Sequence, residues 1–216
     1  MKMEISFFPP EYTYPFEING ESKNIVEFSC YIDGEFSDAH EDFFCKWMEI
    51  PDYYPIYSLA EIYDFQQAEY EELFELHNIK FTYTKGSRKD TFFVKAIISN
   101  PKQFKEYFPY LHGNGSMLNL SLGSLNQDIF RLEEREYESP YPVKRTKKNQ
   151  TRLVKIKWVA HTPIITLTES STMFWVGYDG DYITAFSNNK HFSTVEFLQK
   201  IMPEKVELVR IEYGGL

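Results

Sequence analysis

Between Ser58 and Asn78 the chain reads SLAEIYDFQQAEYEELFELHN, in which Leu59, Ile62, Tyr63, Tyr70, Leu73 and Phe74 recur at spacings of three, four and seven. Such spacing puts them on one stripe of an α-helix. Ser58 and Glu61 stand as a capping box requires, and Asn78 suits the left-handed residue that closes a helix. The pattern predicts one helix over the whole stretch.

Elsewhere the alternation is shorter. Met3 to Phe8 and Asn24 to Ile32 read as strands, the second entering a turn at Asp33-Gly34. Ser37 to Glu49 is expected to be a short helix with Ser37 as its cap. Ile79 to Thr84 and Thr91 to Ser99 are β-branched and aromatic around the polar KGSRKD, which predicts a hairpin. Asn100-Pro101 is a cap followed by the proline favoured at the first helical position, so a helix to about Phe108 follows.

Ser124 with Gln127 forms another capping-box pattern, and Leu125, Ile129 and Leu132 share one side, predicting a helix to Glu138. Ser139 to Gln150, with two prolines and no apolar period, is expected to be an exposed loop or boundary. Beyond it the chain reads mainly as β: Arg152 to His161, Ile164 to Thr168, and a hairpin of Met173 to Tyr178 with Tyr182 to Phe186 around Asp179-Gly180. Ser193 with Glu196 opens a helix to about Met202, and Val206 to Tyr213 alternates as a final strand.

Strands, helices and hairpin turns in this order predict an α+β fold: a largely antiparallel sheet with three or four helices packed on it. Its organisation is expected to be an acidic α+β half over residues 1–138, a basic Pro-containing loop at 139–150, and a β-rich half with one helix at 151–216. The two halves form either two intimately packed parts or one continuous domain.

Composition narrows the class. The 216 residues are 43% hydrophobic and 18% aromatic, with 16 Tyr and 19 Phe, which excludes a disordered chain. No apolar run approaches membrane-spanning length, and Pro9 and Pro10 interrupt the start before a signal-peptide core develops, so a soluble, cytoplasmic protein is expected. Cys30 and Cys45 lack close-paired metal spacing and make no disulfide framework; they read as small buried hydrophobes.

Charge is unevenly placed. Residues 1–80 hold 18 Asp and Glu against four Lys, a net of −14, and the remainder carries 19 Lys and Arg against 14 acids, a net of +5. Within Ser58 to Asn78 stand Glu61, Asp64, Glu69, Glu71, Glu72 and Glu75 without one Lys or Arg. Glu71, Glu72 and Glu75 lie at the helix end where the dipole prefers cations, and each such conflict costs roughly 0.2 to 0.5 kcal/mol. Conversely, Lys144, Arg145, Lys147, Lys148, Arg152, Lys155 and Lys157 put seven cations into 14 residues beside Trp158, a patch able to meet phosphates.

Catalytic signatures are missing: there is no nucleophile elbow, Walker loop or dinucleotide fingerprint. The nearest glycine cluster, His112 to Ser116, lacks the lysine and helix placement of a phosphate cradle. Asp38, His40, Glu41 and Asp42, joined by His112 or His77, are metal-ligand types at close spacing, though in no standard pattern.

The expected function is therefore non-enzymatic, with no catalytic residue, metal or cofactor assigned. The acidic stretch (Glu61, Asp64, Glu69, Glu71, Glu72, Glu75, with Tyr70 as an aromatic anchor) is expected to bind a basic protein. An immunity protein neutralising a toxin or nuclease has this physics. The pI near 5.1 argues against nucleic acid as the main partner. The alternative is a metal-dependent hydrolase or nuclease built from Asp38, His40, Glu41 and His112, with the basic segment holding a phosphate-bearing substrate.

Overall fold

The computed structural model describes residues 2–8, 15–29, 31–32, 35–36, 39–88, 90–111, 116–121, 127–147, 150–177, 180 and 182–212. In chain order its elements are β1 (Lys2–Phe8), β2 (Glu17–Asn19), β3 (Asn24–Ser29), β4 (Tyr31–Ile32), β5 (Glu35–Phe36), α1 (Ala39–Trp47), β6 (Ile56–Tyr63), α2 (Gln67–Leu76), β7 (Lys80–Lys85), β8 (Thr91–Ile98), α3 (Pro101–Tyr107) and β9 (Ser116–Ser121). There follow β10 (Phe130–Glu138), β11 (Val143–Lys147), β12 (Gln150–Val154), β13 (Lys157–Thr166), β14 (Ser171–Val176), β15 (Tyr182–Ser187), α4 (Val195–Gln199) and β16 (Glu207–Arg210).

The fold is α+β. Nine strands form the main sheet in the order β16-β1-β3-β15-β14-β9-β6-β8-β7, and β10-β13-β2 form a second, smaller one. Among the described residues all strand pairs are antiparallel except β1 with β16 and β13 with β2. Because β15 pairs with β3 and β14 with β9, segments from both ends of the chain share one sheet.

Alternation along the strands divides the interior into two layers. Val26, Ile62, Val94, Phe174 and Ala185 face a cluster that also takes Phe44 and Trp47 of α1, Tyr70 and Phe74 of α2, Phe104 and Tyr107 of α3 and Leu198 of α4. Leu59, Phe93, Met173, Trp175 and Phe186 face the other way, onto Phe130 and Ile165 of the small sheet. The helices thus cover one face and the small sheet the other. The abundance of Phe is explained at the first layer, where Trp47 lies with its ring centroid 5.6 Å from Phe44, 5.4 Å from Phe174 and 6.3 Å from Phe192. Burying each such ring contributes about 1.5 to 3 kcal/mol.

Several expected elements are present: β1, β3, α1, the β7–β8 hairpin, α3 and the β14–β15 hairpin. Asn100 caps α3 by accepting from the Gln103 N–H at 3.0 Å. Asn78 takes the left-handed conformation at φ 53° after α2.

Several expectations are corrected. Ser58 to Asn78 is not one helix: its first part is β6, hydrogen-bonded on both sides, and α2 begins only at Gln67. Ile56, Ser58, Leu59, Ala60 and Ile62 are all buried because both sheet faces are covered, and a strand without an exposed face shows no period of two. Ser58 and Glu61 therefore form no capping box.

Ser124 to Glu138 is not a helix either. From Phe130 onward it is β10, in register with β13 over nine residues from Phe130–Ile165 to Glu138–Lys157. That ladder overrides the local helix preference of the glutamates and arginines. The basic loop is the third: residues 143–147 within it are β11, paired with β12, which starts at Gln150, from Val143–Val154 to Lys147–Gln150.

At the C-terminal helix the cap is Thr194, accepting from the Phe197 N–H at 3.3 Å, and Ser193 instead donates to the Lys190 carbonyl. The helix ends at Gln199, and the final strand runs only to Arg210. Ser37, the Asp33-Gly34 turn, His112–Gly115 and Ser124 lie outside the described residues.

Candidate interaction surface

α2 crosses from β6 to the edge strand β7 and buries Tyr70, Leu73 and Phe74. These positions, three and four apart, make its inner stripe. The opposite stripe consists of Ala68, Glu69, Glu72, Glu75 and Leu76, all exposed, and Asp64 and Phe65 are exposed in the 3-10 turn that leads into the helix. Phe65 is 77% and Leu76 72% exposed, so an apolar side chain stands at each end of a row of carboxylates. No ion pair among the described residues involves a carboxylate of α2. Its last turn carries no basic residue, and Glu75 stays unfavourably placed for the helix dipole.

The expected site residues separate into two groups. Asp64, Glu69, Glu72 and Glu75 lie on the exposed surface, and half-buried Glu71 accepts from the Gln67 side-chain amide at 2.9 Å. Burial, with the Glu71 carboxylate adding to it, pushes the nearby Tyr83 phenol up to about 12. Glu61 and Tyr70 are turned inward. One carboxylate oxygen of Glu61 accepts from the Ser87 N–H at 2.7 Å and the Thr91 hydroxyl at 2.6 Å, tying down the β7–β8 turn. Tyr70 is 1% exposed, and its hydroxyl donates to the Tyr110 carbonyl, so it anchors α2 to the core.

Other tyrosines that precede the helix in sequence are also turned inward: Tyr53 is buried, Tyr57 half-buried, and Tyr54 donates to the Met48 carbonyl at 2.6 Å. Sequence reasoning missed Phe65 and Leu76. Leu76 was legible as a large apolar residue off the buried stripe of α2, whereas Phe65 lies in the turn before that helix and had no such signal.

The metal-site residues give no constellation. Asp38, His112 and the His40 side chain lie outside the described set, and among the described residues no group of three or more His, Cys, Asp or Glu is arranged to hold a metal ion.

The basic segment takes a definite shape. β10 and β13 run on as a two-stranded arm, joined by the Ser139 N–H donating to the Ile156 carbonyl at 2.8 Å, and then as β11–β12. Residues 140–147 and 150–153 are all exposed. Arg145 lies directly opposite Arg152, with Lys147 opposite Gln150 on the same side, and these residues with Val154 line a concavity of about 440 Å³. At the root of the arm Glu138 compensates Lys155 at 2.9 Å and Lys157 at 3.9 Å, and its carboxyl is lowered by the Lys155 hydrogen bond and charge.

No helix among the described residues is long and apolar enough to cross a membrane. Compared with known proteins, the chain matches no family model, no curated protein and no solved structure.

Proposed function

We propose that this chain is a non-catalytic, cytoplasmic protein-binding inhibitor that docks its α2 surface on a basic protein, as an immunity protein does on a toxin or nuclease. The observation that carries the reading is the exposed row of Glu69, Glu72 and Glu75, without ion pairs among the described residues, between exposed Phe65 and Leu76. Carboxylates held on a packed helix steer a cationic partner toward the surface, which mainly raises the association rate. The two apolar ends then supply desolvated contacts that slow dissociation. Buried Tyr70 and Phe74 keep the helix rigid, so little ordering is lost on docking.

The test compares the chain with its Glu69→Lys/Glu72→Lys/Glu75→Lys and Phe65→Ser/Leu76→Ser variants. Each is immobilised, exposed to lysate of the source cell, and eluted with rising salt. A basic protein retained by the original chain, lost by the charge reversal and released faster from the apolar variant, supports the reading. Equal retention by all three proteins overturns it.

A further inference from the structure

The β11–β12 ribbon presents a conflict that the fold does not resolve. Like charges directly opposite on an antiparallel pair are destabilising, yet Arg145 faces Arg152 across the ladder with Lys147 next on the same side. No ion pair among the described residues involves Lys144, Arg145, Lys147 or Arg152. From Ser139 to Thr168 the sequence contains no Asp or Glu at all. At the root of the same arm Glu138 offsets one of the two charges of Lys155 and Lys157, so the arm's cations without an ion pair among the described residues lie in its outer part.

Exposed aromatic surface accompanies the charge. Tyr141 is 79% exposed, and Trp158 is 42% exposed although it stacks on Tyr137 at 5.8 Å. Guanidinium groups match phosphate oxygens bidentately, and planar rings in water are what unpaired bases stack on. A duplex would leave these rings without bases to meet. We propose that the arm is a binding site for single-stranded nucleic acid, its phosphates held by Arg145, Arg152 and Lys147 and its bases stacked on Trp158 and Tyr141.

The net charge of −9 does not oppose this at physiological salt. At about 3.3 Å per residue the paired side from Ile156, opposite Ser139, to Gln150 at the arm's end extends on the order of 20 Å, whereas the screening length there is about 8 Å. The arm's end lies about two screening lengths from its root, so the acids of the main sheets are largely screened from Arg145, Lys147 and Arg152, while Trp158 receives the bases at the root.

Fluorescence anisotropy of labelled oligo-dT and oligo-U of roughly 16 nucleotides, alongside a duplex of equal length, tests the proposal over a salt series. The original chain should bind the single strands more tightly than the duplex and quench the emission of Trp158, since Trp47 and Trp175 are buried. Arg145→Gln/Arg152→Gln should lower the log–log salt slope by about 1.4, and Trp158→Leu should weaken binding about tenfold. All three side chains are exposed, and circular dichroism confirms that the variants remain folded. No binding at low salt, equal binding by these variants, or preference for the duplex overturns the proposal. A change in oligomeric state of the arginine variant without loss of oligonucleotide binding overturns it too, assigning the arm to a second copy of the chain.

Discussion

The hydroxyl of Ser58, in the middle of β6, lies 3.0 Å from the hydroxyl of Tyr107 at the end of α3, and both side chains are buried. This contact fastens a helix to the central sheet, and burial pushes the phenol up, keeping it neutral. Ser58→Ala leaves a buried hydroxyl unpaired and should cost about 1 to 3 kcal/mol in urea unfolding. Adding Tyr107→Phe to that variant should recover part of the loss, because neither partner is then left over. Strict additivity of the two substitutions would show that the hydroxyls do not interact.

Gln103 joins three segments at one corner. Its side-chain amide donates to the carbonyls of His77 at 2.9 Å and Asn78 at 3.0 Å, and its oxygen accepts from the Ser99 N–H at 2.7 Å. It thereby satisfies the exit of α2 at the left-handed Asn78. Gln103→Ala should lower stability by about 3 kcal/mol, and hydrogen exchange should quicken at the α2–β7 junction before the rest of the sheet.

Glu27 sits in β3 between Ser6 of β1 and Thr184 of β15, and burial raises its carboxyl above the ordinary 4.5. The folded chain then holds this proton more tightly than the unfolded chain. The associated stability is complete below the unfolded value and is lost as pH rises through the folded one. Glu27→Gln should accordingly have a higher Tm than the original chain at pH 7, the two converging below pH 4. A constant Tm difference across that range would contradict the assignment.

Cys45 in α1 carries a thiol pushed up to about 12, first by burial and then by the Glu41 carboxylate. In a Cys30→Ser background, alkylation at pH 8 should run about a hundredfold slower than for an unperturbed thiol and recover in denaturant. Prompt labelling of the folded chain would show that α1 opens readily.

What the sequence determined by itself rests on local physics. The Asn100 cap, the left-handed Asn78, the β7–β8 and β14–β15 hairpins and the α+β class were legible because each depends on a few adjacent residues. The carboxylates of α2 and the cations near Lys144 were equally legible, since charge needs no fold to be counted. Tertiary structure alone decided that Ser58 to Tyr63 is a central strand and Phe130 to Glu138 one rung of a ladder. A strand covered on both faces carries no alternation, and glutamate-rich β10 obeys its partner β13 instead of its own propensity. It also turned Glu61 and Tyr70 inward, exposed Phe65 and Leu76, and set Arg145 opposite Arg152. Those outcomes depend on which elements meet, over separations from the seven positions between Arg145 and Arg152 to the 62 between Tyr57 and Asn119, and no local window contains that information.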